Sequence, residues 1–164
     1  MHRLAFPLLA ALMCASAAFI AATAGQLPAT VASHFGGHGA NGWMARNVYL
    51  LWMLGLSVLV PGLLVVLIAV LPRIVPRLVD LPHKDYWMAD ARRGETISSL
   101  FAFACCLAAL MTVFAAGLHY VILNANATTL PALSASLLAA LVALLLVGAV
   151  TWTGALYARF RTMS

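Results

Sequence analysis

Charged side chains are scarce in this chain. Only 8% of its 164 residues are Asp, Glu, Lys or Arg, with four acids against nine bases, whereas a soluble globular domain carries about a quarter. Hydrophobic residues make up 65% of the sequence. The shortage of charge therefore argues against an ordinary soluble domain and predicts a protein whose main solvent is lipid.

Charge is missing above all from four long apolar runs. Each run has at least the roughly 20 residues that an α-helix needs to cross a bilayer, and the runs cover about 4–24, 48–71, 100–123 and 133–157. Between them lie an outer loop, 25–47, and a cytoplasmic loop, 72–99. We therefore predict one membrane domain over residues 1–164, an all-α polytopic protein with a four-transmembrane-helix bundle. The first run has some features of a signal peptide, but its length favours an uncleaved span.

The basic residues are distributed unevenly about these runs. Arg3 precedes the first run, five bases lie in the loop 72–99, and Arg159 and Arg161 follow the fourth run, whereas only Arg46 lies on the other side. Because basic residues accumulate on the cytoplasmic side of membrane proteins, both termini are predicted to be cytoplasmic. The net charge of +5 is thus a topology signal, with contact to anionic headgroups as its second role. A nucleic-acid partner is not predicted.

Catalytic and transport signatures are also lacking. The predicted spans contain no Asp, Glu, Lys or Arg, and the sequence has no nucleophile motif, phosphate-binding loop or cofactor fingerprint. Ion-coupled transporters usually place ionisable groups inside their spans, so small-solute transport ranks last among the functions considered. All four acids share the loop 72–99 with five bases, which favours a solvated surface over paired catalytic carboxylates. We therefore predict that the chain is not an enzyme and has no catalytic residue.

The outer loop concentrates residue types that are sparse in the rest of the chain. Between His34 and Trp43 lie His38 and four of the eleven glycines. Pro28 stiffens the exit from the first span, and the glycines permit tight turns. Phe35 and Trp43 are able to bury into the headgroup boundary. This composition predicts a compact cap over the outer ends of the helices.

Two hypotheses fit the histidines. His34 and His38 lie four residues apart, and His119 lies near the outer end of the third span, so the three together could bind copper or zinc. Against this, glycines at 36 and 37 separate the loop histidines and disfavour helical spacing. A loop histidine more often bonds backbone carbonyls, and a structural use is also favoured for His119, although an ionisable group within a span is a functional candidate. No cofactor is therefore expected, and a metal site remains the alternative.

The segment LPATVASHF at residues 27–35, followed by Gly39 and Trp43, resembles the signature of a bacterial membrane domain. This family is domain of unknown function number sixteen forty-eight, which opens the SdpI-type immunity and signalling proteins. The match covers about residues 26–71, and LPHKDYW at 81–87 with Arg92 and Arg93 resembles cytoplasmic segments of its short members. SdpI-type proteins continue into further spans, where this chain has a single helical hairpin. The resemblance therefore does not carry toxin immunity over to this chain.

The resemblance and the composition together lead to a functional prediction. We expect a multi-pass protein of the bacterial inner membrane with a non-enzymatic binding or regulatory role. Its outer loop would contact a partner through Pro28, His34, Phe35, Gly39 and Trp43, while the cytoplasmic loop relays or docks. The alternative is a metal-binding or accessory subunit of a larger membrane complex. Beyond the lipid bilayer, the predicted partners are another membrane protein or a second copy of the chain.

Overall fold

The computed structural model of the chain describes residues 2–37 and 39–163. It is mostly helical, at 76%, and its described part contains four helices long and apolar enough to cross a membrane. This confirms the predicted helical bundle. The elements are, in chain order, α1 (His2–Thr23) with a 3-10 turn (Ala24–Gln26), β1 (Thr30–Gly36), β2 (Gly39–Ala45), α2 (Arg46–Ile74), a 3-10 turn (Pro76–Leu78), α3 (Lys84–Trp87), α4 (Asp90–Ala125) and α5 (Ala135–Phe160).

Helix α4 is the centre of the bundle. It packs against α1, α2 and α5, and its 36 residues correspond to roughly 54 Å at 1.5 Å per residue. It begins at Asp90, whereas its apolar run was predicted to begin at residue 100. The extension is polar and held in place, because the Thr96 hydroxyl donates to the Trp87 carbonyl at 2.7 Å and Glu95 pairs with Arg159 at 2.6 Å.

Helix α2 departs from regular α-helical geometry around Pro61. Wider π-helical turns at Gly55–Leu59 and Val66–Val70 interrupt it. Proline has no N–H, so Pro61 cannot donate to the Ser57 carbonyl four residues earlier. The hydroxyl of Thr112 on α4 lies 3.2 Å from that carbonyl and 3.0 Å from the Ala108 carbonyl of its own helix, so the two carbonyls share one hydroxyl proton. A neighbouring helix thus compensates in part for the backbone bond that the proline removes.

The predicted outer loop, residues 25–47, contains a β-hairpin, which the all-α prediction omits. Strands β1 and β2 pair antiparallel, from Thr30 opposite Ala45 to Gly36 opposite Gly39. The pairing shifts register on each side of His34, which marks β-bulges. Glycine and alanine are common in these strands, and their low strand propensity explains why the sequence pattern did not reveal them.

The buried side chains form three clusters along the bundle. At the hairpin end, Ile20, Leu27, Val31, Tyr49, Met53 and Ile122 pack together. Farther along, α1, α2 and α4 contribute a second cluster that includes Leu9, Val65 and Cys105. A third, at the far end, contains Trp87, Leu100 and Phe160. Helix α5 buries only Leu141 and Phe160, and it packs against α4 without completing the core that α1, α2 and α4 share.

Candidate functional site

The middle of the hairpin is fixed to the end of α4 by one side chain. The Asn126 carboxamide accepts from the Ala32 backbone N–H at 2.8 Å and donates to the Ala32 carbonyl at 3.0 Å. Its second N–H donates to the Ile122 carbonyl at 2.9 Å. A carboxamide carries the same donor and acceptor as a peptide group. Asn126 therefore pairs with β1 much as a neighbouring strand would.

The base and the tip of the hairpin are also anchored. At the base, Arg46 donates its backbone N–H to Ala29 and its guanidinium to the Leu27 carbonyl, both at 2.9 Å. At the tip, the Ala40 N–H donates to the Pro131 carbonyl at 3.2 Å. Gly39, beside it, has φ 109°, a conformation that favours glycine. The hairpin is thus held at three points along its length.

Several predicted binding residues remain accessible on this anchored hairpin. Pro28 and His34 are exposed, and Trp43 exposes 56% of its surface on the protein. Phe35 is half-buried. An added Cβ at Gly42, opposite His34, would lie 2.9 Å from the His34 Cβ, so a larger residue there would displace the imidazole. The hairpin presents an imidazole and an indole on a fixed backbone.

His119 lies inside the bundle, near the hairpin end, and is fully buried. Its Nε2 is 2.8 Å from the Thr23 hydroxyl of α1, and its Nδ1 is 3.0 Å from the Tyr49 hydroxyl of α2. The imidazole stacks on the Tyr49 ring at 5.7 Å and meets the edge of Phe19 at 5.4 Å. One residue of α4 therefore contacts both neighbouring helices.

The hydrogen-bond partners of Thr23 determine the tautomer of His119. The Thr23 hydroxyl is 2.8 Å from the Phe19 carbonyl, and a carbonyl oxygen can only accept, so the hydroxyl proton is used there. The Thr23 oxygen must then accept from Nε2–H of His119. In the neutral imidazole Nδ1 is the acceptor, and the Tyr49 hydroxyl donates to it. Each hydrogen bond therefore has its donor on the side of α2: Tyr49 of α2 donates to His119 of α4, and His119 donates to Thr23 of α1.

A second polar layer lies deeper in the same interface. The Ser16 and Ser57 hydroxyls are 2.6 Å apart, and Thr112 donates toward the carbonyls of Ala108 and Ser57. Within residues 2–37 and 39–163, every buried side-chain nitrogen or oxygen has a hydrogen-bond partner. We call the two layers the polar seam, which comprises Ser16, Thr23, Tyr49, Ser57, Thr112 and His119.

Sequence analysis missed this seam, although α4 carries a signal for it. Thr112, His119 and Asn126 follow one another at seven-residue spacing. Seven residues make almost two helical turns, roughly 10.5 Å of rise, so the three side chains lie along one face. On α1, Ser16 and Thr23 have the same spacing. Polar residues repeated at this interval within apolar helices indicate a buried, hydrogen-bonded interface.

The three predicted metal-binding histidines occupy different environments where they can be described. His34 is exposed on β1, and both ring nitrogens of buried His119 are hydrogen-bonded to hydroxyls. His38 lies outside the described residues. Among the residues that are described, no three His, Cys, Asp or Glu side chains group together as metal ligands. The site for copper or zinc stays a prediction.

The loop at the other end of the bundle is folded onto the helices. Trp87 is buried, and its indole N–H donates to the Phe160 carbonyl at 2.9 Å. The Arg159 guanidinium lies 4.7 Å from the Trp87 ring centroid while it pairs with Glu95. Together these contacts join α3, α4 and the end of α5. Helix α4 therefore has specific polar contacts at both of its ends.

The fold defines a helical protein of membrane-spanning dimensions that carries an anchored hairpin at one end. No protein-family model, curated protein or solved structure matches this chain. The resemblance to SdpI-type proteins stays a prediction.

Proposed function

We propose that this chain is a non-enzymatic binding or regulatory protein of the bacterial inner membrane, with the hairpin outside as its recognition surface. One observation carries the proposal: Asn126 fixes β1 to α4 while His34 and Trp43 remain exposed. A surface that is already ordered loses less conformational entropy when a partner binds. Tryptophan is also enriched among the residues that contribute most to protein–protein binding. A protein or peptide partner fits these features best.

The distribution of charge supports an orientation with the hairpin outside and both termini in the cytoplasm. Residues 25–47 contain one basic residue, Arg46, whereas residues 72–99 contain five, and Arg159 and Arg161 lie at the end of α5. This asymmetry is typical of cytoplasmic loops. The resemblance of residues 27–35 to SdpI-type proteins supports the same location and a regulatory role.

Helix α4 offers a route by which binding at the hairpin would reach the cytoplasmic side. It contacts the hairpin through Asn126, the neighbouring helices through His119, and the cytoplasmic loop through Thr96. We infer that a shift of the hairpin would change how α4 packs in the polar seam. Such a shift would then alter the Trp87 contacts at the other end. This coupling requires a measured response at both ends.

Photo-crosslinking in native membranes tests the recognition surface. A photoreactive residue at position 43 is expected to yield an adduct of discrete mass. The same residue at position 150 is the control, since Val150 is 72% exposed on α5, away from the hairpin. In an Asn126→Leu background the adduct at position 43 should weaken, because the hairpin loses its anchor. If position 43 yields no more adduct than position 150, the proposal is contradicted.

A further inference from the structure

An open pocket of about 510 Å³ lies between the last turn of α2 and the first turns of α4, at the end of the bundle opposite the hairpin. It is lined by Arg73, Asp90, Arg93, Gly94, Ile97 and Ser98. The pocket therefore combines two guanidinium groups, one carboxylate, one hydroxyl and an apolar wall.

Neither arginine of the pocket forms a direct ion pair with a described carboxylate. Arg93 donates from Nη2 to the Arg73 carbonyl at 3.1 Å, which uses only one of its five N–H groups. Among the described residues, the Arg159–Glu95 contact is the one ion pair, so no described carboxylate oxygen lies within 4.0 Å of Arg73 or Arg93. Both guanidinium groups keep donors available for an anion.

The pocket opens next to an exposed apolar surface. The Arg73 guanidinium lies 5.9 Å from the Phe101 ring, and Phe101 is 6.3 Å from Phe6 of α1. Phe6 exposes 55% of its surface, and Ile74, beside Arg73, exposes 73%. Cationic groups above exposed aromatic and aliphatic side chains are typical of the headgroup boundary of a membrane. A ligand that fits both parts is amphiphilic.

We propose that this pocket binds the phosphate of an anionic phospholipid, with its acyl chains along the surface beside Phe6 and Phe101. The planar donor groups of arginine match phosphate oxygens in pairs, and Ser98 adds a hydroxyl donor. Asp90 opposes the anion, so it limits the affinity. The proposal rests on the membrane location in the proposed function but not on any partner of the hairpin.

Lipid titration of the purified, delipidated protein in neutral detergent tests this site. Binding of short-chain phosphatidylglycerol, followed by native mass spectrometry, should reach half-saturation at a concentration at least tenfold below that of short-chain phosphatidylcholine. Arg73→Gln and Arg93→Gln should each weaken binding about fivefold. The control Arg161→Gln removes the same charge outside the pocket and should change binding less than twofold.

Two further variants separate loss of the site from loss of the fold. Asp90→Asn should tighten binding of phosphatidylglycerol, a gain that misfolding cannot produce. Gly94→Leu should abolish it by filling the pocket, since an added Cβ at Gly94 meets no atom within 4 Å and leucine favours the helix.

Four results would overturn the proposal. Equal binding of the two lipids would rule out a site selective for an anionic phospholipid, and an Arg161→Gln effect as large as those of the pocket variants would indicate diffuse attraction. Unchanged binding by Gly94→Leu would place the lipid elsewhere. Inorganic phosphate that displaces the lipid at equal concentration would assign the pocket to a free anion. If lipid titration overturns the pocket, the photo-crosslinking result at position 43 is unaffected. The lipid site and the hairpin surface are therefore tested independently.

Discussion

Replacement of His119 by leucine is the most informative perturbation of the polar seam. Leucine keeps an apolar side chain in place but removes both ring nitrogens. The Tyr49 hydroxyl, on a residue only 2% exposed, loses its acceptor, and a buried unsatisfied donor costs about 1–3 kcal/mol. The lost ring contacts with Tyr49 and Phe19 add about 1 kcal/mol. We expect His119→Leu to lower the free energy of unfolding by about 3 kcal/mol.

The double variant His119→Leu/Tyr49→Phe tests the hydrogen bond between these two side chains most directly. Alone, Tyr49→Phe should destabilise by about 1 kcal/mol, since it removes one hydrogen bond of the seam. In the His119→Leu background it should instead restore about 1–2 kcal/mol, because it removes the stranded hydroxyl. The sign of the Tyr49→Phe effect therefore reverses between the two backgrounds.

Reversible unfolding in mixed micelles with increasing sodium dodecyl sulfate, followed by circular dichroism, measures these free energies. The control Tyr120→Leu changes the neighbouring residue, which is 48% exposed, and should cost less than about 0.5 kcal/mol. If Tyr49→Phe destabilises His119→Leu further, the hydrogen bond from Tyr49 to His119 does not form as described and the reasoning is refuted.

Three further predictions concern the hairpin and α5. Asn126→Leu should raise the exchange rate of the Ala32 amide by at least tenfold while amides in α5 keep theirs; equal changes in both would indicate general destabilisation. Gly39→Ala should cost about 1 kcal/mol or more of unfolding free energy because of its positive φ, whereas Gly25→Ala, which meets no atom within 4 Å, should be nearly neutral; equal losses would show that the turn does not need glycine. Trp152→Phe removes the indole donor to the Phe103 carbonyl at 2.7 Å and should increase proteolysis of α5 but not of α1, and unchanged cleavage would mean that this bond does not hold α5.

The helices were predictable because one physical requirement dominates them. A helix that crosses a bilayer needs a long apolar run; the run at 48–71 lies within α2, and the run at 133–157 lies within α5 except for its first two residues. The predicted span at 100–123 covers only part of α4, because the first turns of that helix are polar and depend on contacts with Trp87 and Arg159. Hydropathy does not report such contacts.

The candidate site was only partly predictable. Local composition indicated that residues 34–43 form the distinctive surface, and Gly39 has the positive φ that a tight turn requires. The strand pairing was not predicted, because both strands are rich in glycine and alanine, and the anchor that fixes β1, Asn126, lies far away in sequence. Likewise, His119 was expected near the outer end of its span, but its partners Thr23 and Tyr49 come from two other helices. Only the three-dimensional packing identifies such pairs.

The distance between the hairpin and α5, measured by spin-label resonance, tests the central claim that the recognition surface is fixed in advance. Labels at positions 34 and 137, in a background with Cys14, Cys105 and Cys106 replaced by alanine, report on the exposed His34 and on Leu137, which is 41% exposed in the first turn of α5. The account predicts a single narrow distance distribution without any partner, and a broad one in Asn126→Leu. A broad distribution with Asn126 intact would contradict it.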